Sequence, residues 1–156
     1  MDPRNEAVLG YLEVERVAPP ETNTAWVIDG YSLATHPDLC DRVKEVNEAA
    51  GKPAALRYLY GKPALVAANG VIVAFGGGTY VFCVRVPRSE VDPPLLGTIH
   101  GDAQRLKALT AHDWTLIDPW TVDVLKDEGL RQLAAVLTRA VENAADGDPP
   151  RADAAG

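Results

Sequence analysis

The segment from Ala55 to Val86, ALRYLYGKPALVAANGVIVAFGGGTYVFCVRV, constrains this chain more than any other part of it. It contains apolar runs of strand length at Ala55 to Tyr60, Ala64 to Ala68, Val71 to Phe75 and Thr79 to Val86. Turn-forming residues separate them: Gly61-Lys62-Pro63, Asn69-Gly70 and Gly76-Gly77-Gly78. Connections this short join antiparallel neighbours, so the segment predicts an antiparallel meander. Asn69-Gly70 is the strongest hairpin signal, because both central positions of a type I′ turn need positive φ. In the last run Tyr80, Phe82, Val84 and Val86 alternate with Val81, Cys83 and Arg85. Both sets are mostly apolar, so this strand is expected at the centre of the sheet with cover on both faces.

Two helices frame the meander. Leu39, Val43, Val46 and Ala50 recur at spacings that place them on one face of a helix over residues 37–50. Thr35 is its expected N-cap, Pro37 sits near the first helical position, and Gly51 and Pro53 form the stop. The second helix starts at Lys126 or Asp127 and runs to Ala145, with Leu130, Leu133, Ala134, Leu137 and Val141 in one stripe. Between meander and second helix lie a Pro/Gly-rich connection over residues 87–101, a short helix over 102–109 with Leu106 and Leu109 inward, and a short strand from Trp114 to Ile117. Residues 1–6 read as a frayed start. The alternation around Leu12 and Val14 predicts a strand from Gly10 to Val17, with a helix as the competing reading. Thr24 to Ile28 reads as a further strand, followed by an Asp29-Gly30 turn.

The expected architecture is α+β: one domain over residues 1–145, its antiparallel sheet of five or six strands covered by the helices at 37–50 and 127–145. Residues 146–156 lack core residues and read as a disordered acidic tail.

The charge balance narrows the function classes. Fifteen Lys and Arg stand against 22 Asp and Glu, a formal net charge of −7, and the basic residues are scattered. Phosphate neutralisation needs clustered cations, so nucleic-acid binding is disfavoured, as is an anionic membrane surface. The polar start lacks a signal-peptide pattern and no stretch has the apolar length of a span, so a cytoplasmic location is expected. Cys40 and Cys83 stand alone, without metal-ligand spacing, and read as small buried hydrophobes. No metal or cofactor is expected.

Few residue patterns point to chemistry. The triple glycine precedes a strand and not a helix, which excludes a phosphate loop. His36, His100 and His112 include no pair at helical ligand spacing; His100 and His112 have carboxylates nearby in sequence, yet no nucleophile motif accompanies them. Asp118, Asp123, Asp127 and Glu128 read as helix-capping acids. Tyr58, Tyr60, Tyr80, Trp114 and Trp120 could wall a cleft with Arg57 and Arg85. Arg85 is the one charge in the most hydrophobic strand, which implies either an anionic ligand or a structural carboxylate such as Asp118. Arg57, Arg85, His112, Trp114 and Asp118 are therefore the candidate ligand-binding residues.

The order of helix, meander YGKPALVAANGVIVAFGGGTYVFCVRV, short aromatic strand DWTLID and C-terminal helix resembles the N-terminal domain of the TfoX competence regulators and the MmcQ/YjbR group, over residues 37–145. The resemblance implies a small α+β domain without a shared enzymatic activity. Its association with DNA fits poorly with this chain's acidity, and it leaves residues 7–34 unexplained. The leading expectation is a non-enzymatic binding or interaction domain whose partner is another protein or a second copy. A ligand-binding protein or small enzyme with an aromatic/Arg cleft is the alternative, and a DNA-associated domain ranks third.

Overall fold

The computed structural model describes residues 2–14, 27–28, 31–32, 35–99, 103–111 and 113–146. The fold is α+β. Helix α1 spans Glu6–Val14, α2 Pro37–Ala49, α3 Gln104–Leu109, α4 Thr121–Leu125 and α5 Asp127–Asp146. Strands β1 (Val27–Ile28) and β2 (Tyr31–Ser32) form a separate hairpin. The main sheet holds β3 (Ala55–Leu59), β4 (Lys62–Val66), β5 (Ile72–Gly77), β6 (Val81–Val84) and β7 (Thr115–Leu116), in chain order and antiparallel throughout. The hairpin pairs Ile28 with Tyr31, as the Asp-Gly signal predicts, although its turn residues and residues 24–26 lie outside the described part.

Helices cover both faces of the sheet. On one face Leu39, Val43 and Val46 of α2 and Leu133, Leu137 and Ala140 of α5 pack on Leu65, Val73, Phe82 and Val84. On the other, Val8 and Leu12 of α1 and Leu106 and Leu109 of α3 pack on Ile72, Phe75, Cys83 and Leu116. Strand β6 carries Phe82 and Val84 to the first face and Cys83 to the second, so it is covered on both sides as expected. The stripe of α5 faces inward: Leu133 and Leu137 are buried, and Leu130 and Val141 pack at its margins.

The N-terminus departs from its expectation. Residues 6–14 are helical, with Val8 and Leu12 one turn apart and both fully buried. A period of two over five residues around Leu12 was too short a pattern to outweigh that helical pair; residues 15–17 lie outside the described part. Nor are residues 2–6 frayed. Asn5 is fully buried: its Nδ2 donates to Gly70 O at 2.8 Å, and its Oδ1 accepts from Ile72 N at 2.8 Å. Asn5 thus serves backbone groups where the register between β4 and β5 shifts.

The turns also move. Thr35 does not cap α2; it is buried, its hydroxyl donates to Gly61 O, and the cap is His36, whose Nδ1 accepts from Asp38 N. The first hairpin turns at Tyr60-Gly61, both at positive φ, so Lys62 and Pro63 belong to β4 and not to the turn. At Asn69-Gly70 only Gly70 has positive φ; Gly70 N donates to Ala67 O, and Asn69 Oδ1 accepts from Val71 N. The centre is therefore Ala68-Asn69 with Gly70 following, which replaces the type I′ expectation. Gly76 and Gly77 lie in β5, and the turn begins at Gly78. A Cβ on Gly76 would stand 3.2 Å from Val43 Cγ2 and 3.3 Å from Pro63 Cγ, so this glycine lets α2 approach the sheet.

Candidate functional site

Arg85 and Trp114 are the two candidate residues that the fold brings together. Strands β6 and β7 pair Val84 with Thr115, which sets Arg85 beside Trp114 at the next position. The guanidinium lies 4.6 Å over the indole, donates from Nε to Ile72 O at 2.8 Å, and donates from an Nη to Arg4 O at 3.2 Å. Trp114 is buried and its ring sits 5.4 Å from Phe75, which in turn lies 5.4 Å from Tyr11. Burial, and then the neighbouring Arg4, lower the Arg85 pKa to about 10, while Asp113 and Asp2 oppose the shift. Its donors serve backbone carbonyls and its face covers an aromatic, so Arg85 ties the N-terminal segment to the sheet.

The expected partner of Arg85 is elsewhere. Asp118 is four strand positions from the point opposite Arg85, roughly 13 Å along the strand. Its Oδ1 accepts from Trp120 N at 2.9 Å, and its own N donates to Leu95 O at 2.8 Å. Asp118 thus shapes the turn before α4. A half-buried guanidinium seeks acceptors, and the carbonyls of Ile72 in β5 and of Arg4 supply them without a carboxylate. Arg57 is exposed on β3, at the opposite side of the sheet from Arg85. His112 lies outside the described residues.

The aromatic residues do not share one wall. Trp114 packs on the α1/α3 face, and Trp120 packs on the α2/α5 face, where Nε1 donates to Thr79 O and the Arg42 guanidinium lies 5.1 Å over the ring. Arg42 also pairs with Glu45 and Asp123, so Asp123, which stands in the first turn of α4, also anchors α2 to α4. Asp127 and Glu128 do stand in the first turn of α5. Tyr58, Tyr60 and Tyr80 are exposed. A cleft of about 330 Å³ beside Trp114 is lined by Arg88, Thr98, Ile99, Thr110 and Leu116, and among the described residues Trp114 is the one candidate in it.

The thiols hold their protons. Burial pushes Cys83 far above the usual thiol range, and burial with the nearby Asp41 pushes Cys40 up to about 11. Both are free and buried, on opposite faces of the sheet. A thiol nucleophile needs the opposite shift. Among the described residues no group of His, Cys, Asp and Glu is arranged to hold a metal ion, and no helix is long and apolar enough to cross a membrane.

The most distinctive exposed feature is the β3 edge. The far edge, β7, is two residues long and is covered by a bridge between Leu96 and Ile117 and by Gly97 N donating to Leu116 O. β3 has five residues, and among the described residues no strand lies on its outer side. The two-residue turn fixes which of its amides point there. Leu59 and Lys62 flank Tyr60-Gly61 and form the closing hydrogen-bonded pair, so the next pair, Tyr58 and Pro63, is not the hydrogen-bonded kind. The amides facing β4 are those of Arg57 and Leu59, and those of Leu56 and Tyr58 face outward. Tyr58 is 49% exposed and Tyr60 41%, a large apolar contribution at an edge. Near its end, the Tyr60 hydroxyl meets Glu13 of α1 at 3.5 Å, and Lys62, buried, donates from Nζ to Leu12 O at 3.2 Å. The sequence pattern suggests a cleft wall for these tyrosines; the feature that locates them on the edge is the two-residue Tyr60-Gly61 turn, which pairs β3 with β4 at the end of the sheet.

No protein-family model, curated protein or solved structure matches this chain.

Proposed function

We propose that this chain is a non-enzymatic protein-interaction domain that receives a partner strand on the outer edge of β3. The carrying observation is the contrast between the two edges: β7 is short and covered, while β3 is longer, carries exposed Tyr58 and a single charge, Arg57, and contains no proline or bulge. Natural sheets protect solvent-facing edges with charges, prolines, bulges or cover, and an edge with one charge and, among the described residues, none of the other devices is a template for strand addition. The chemistry of the candidate residues supports the same reading. Arg85 serves backbone carbonyls and a tryptophan face, and both thiols are stabilised in their protonated form.

Photo-cross-linking tests the reading. A benzoylphenylalanine replaces Tyr58 on the edge in one variant and Tyr80, 62% exposed and away from it, in another. Irradiation in cells is expected to give discrete protein adducts from position 58 and none from position 80. Equal yields from both positions, or none from 58, refute the proposal.

A further inference from the structure

The occupant of the β3 edge follows from charge and register. Arg57 and Glu13 both lack an ion-pair partner among the described residues. Both lie on the α1 side: Arg57 shares its strand face with Leu59, which packs with the α1 cluster, and Glu13 meets Tyr60 just beyond Leu59. An unpaired cation in mid-strand and an unpaired anion at the strand's end complement each other when a two-fold axis reverses the strand. We propose that a second copy of this chain pairs with β3 antiparallel, with Tyr58 opposite Tyr58 of the other copy and Arg57 of each copy beside Glu13 of the other. This rests on the edge reading above.

The outward amides of Leu56 and Tyr58 allow three symmetric registers: Leu56 on Leu56, Leu56 on Tyr58, and Tyr58 on Tyr58. The second sets Arg57 directly against its own copy, and like charges opposite one another destabilise a sheet. The first carries the pairing toward Pro53 and moves Arg57 away from Leu59 and Glu13. The third makes an aromatic cross-strand pair on the axis and sets Arg57 opposite Leu59, about 4.5 Å away between Cα atoms, at the Glu13 end.

Charge reversal in the full chain tests the pairing. Arg57→Glu and Glu13→Arg are surface changes, and each alone puts two like-charge contacts into the dimer. Sedimentation is expected to show each variant dimerising roughly ten-fold more weakly than the parent, from two exposed pairs turned repulsive. An equimolar mixture of the two variants restores both contacts, so it is expected to recover parental affinity as a heterodimer. A mixture no tighter than either variant overturns the ion pairs. Register is read by oxidation of Tyr58→Cys, Arg57→Cys and Leu56→Cys, each in a Cys40→Ala background because Cys40 hydrogen-bonds Tyr58. Hydrogen-bonded partners lie about 5.5 Å apart at Cα, within disulfide reach, so Tyr58→Cys is expected to cross-link most readily. Preferential linking at 56 or 57 overturns the register but leaves the edge in use. A dimer unaffected by Tyr58→Pro, which removes an outward amide, overturns the edge reading itself. A parent chain monomeric from micromolar to millimolar overturns the second copy as occupant, and the cross-linking from position 58 then judges the edge separately.

Discussion

Asn5→Ala measures how far the N-terminal segment belongs to the fold. The Asn5 amide is fully buried and makes two 2.8 Å hydrogen bonds, to Gly70 O and from Ile72 N. Alanine removes both, and at this depth water does not readily replace them. An unsatisfied buried backbone group costs about 1–3 kcal/mol, so two of them predict a loss of about 2–6 kcal/mol. That is a large fraction of the roughly 5–15 kcal/mol that a domain of this kind holds in total. Urea unfolding followed by tryptophan fluorescence gives the difference directly, with a thermal midpoint lowered by roughly 4–24 °C as a second readout. Asn5→Asp sharpens the test. The carboxylate still accepts from Ile72 N but opposes its negative charge to Gly70 O, while the protonated carboxyl donates to that carbonyl. The proton is thus held more tightly in the folded state than in the unfolded one. Stability is then fully present below the unfolded carboxyl pKa and is lost as pH rises through the folded value, so the Asp variant's deficit shrinks on acidification. A loss below about 0.5 kcal/mol for Asn5→Ala, or an Asp variant whose deficit grows as pH falls, refutes the clamp.

Two glycines in helices predict opposite outcomes. A Cβ at Gly129 would come within 2.8 Å of Val122 Cα and 2.9 Å of Leu125 Cβ, so Gly129→Ala is expected to cost about 1–3 kcal/mol in urea titration despite alanine's better helix propensity. A Cβ at Gly10 meets nothing within 4 Å, so Gly10→Ala is expected to gain up to about 1 kcal/mol in the same assay. Leu137→Ala, at a fully buried position of α5, is expected to cost about 2–5 kcal/mol, and a cost under about 1 kcal/mol contradicts its place in the core. Cys40 is raised by burial to about 11 from a usual value of 9.0, so the folded state holds that proton more tightly. Its contribution is complete below the unfolded pKa and is lost as pH rises from about 9 to about 11; urea midpoints across that window are expected to fall, and Cys40→Ala is expected to flatten the fall.

The main helices were legible because their signals are long and redundant. Thirteen residues of α2 and twenty of α5 carry several turns of apolar spacing, and proline, glycine and acids mark the ends. The faces of β6 were legible for the same reason, since alternation there extends over the whole strand. Helix α1 was not, because its decisive pair, Val8 and Leu12, is one turn of spacing beside an equally short run of alternation. Gly76 suggests a turn because sequence shows the freedom of a glycine and not the helix that presses on it. Arg85 suggests an anionic ligand or a carboxylate such as Asp118 in sequence, whereas the partners it has in the fold are backbone carbonyls of Ile72 and Arg4 that no side-chain pattern advertises. Asn5 gave no signal at all, since its value depends on a register shift 60-odd residues away, at Leu65/Val66.

The edge reading depends on a displacement of a single turn. With Gly61-Lys62-Pro63 as the loop, Pro63 is a turn former and carries no information about the strands. With Tyr60-Gly61 as the turn, Leu59 pairs with Lys62 and Pro63 enters the ladder opposite Tyr58. A two-residue turn closes on a hydrogen-bonded pair, so the Leu59–Lys62 pairing fixes the alternation of β3 and β4, and it leaves the donor that Pro63 lacks on the β5 side of β4. Side chains and amides alternate with period two, so any one-residue slip would turn the outward amides of Leu56 and Tyr58 inward and bring those of Arg57 and Leu59 to the edge. The symmetric registers would then centre on Arg57 or Leu59, the Tyr58 pair would leave the axis, and the strongest disulfide would move from position 58 to its neighbour. The cross-linking series therefore reads the β3–β4 register as well as the dimer, because a wrong register inside one copy predicts a different cysteine between two.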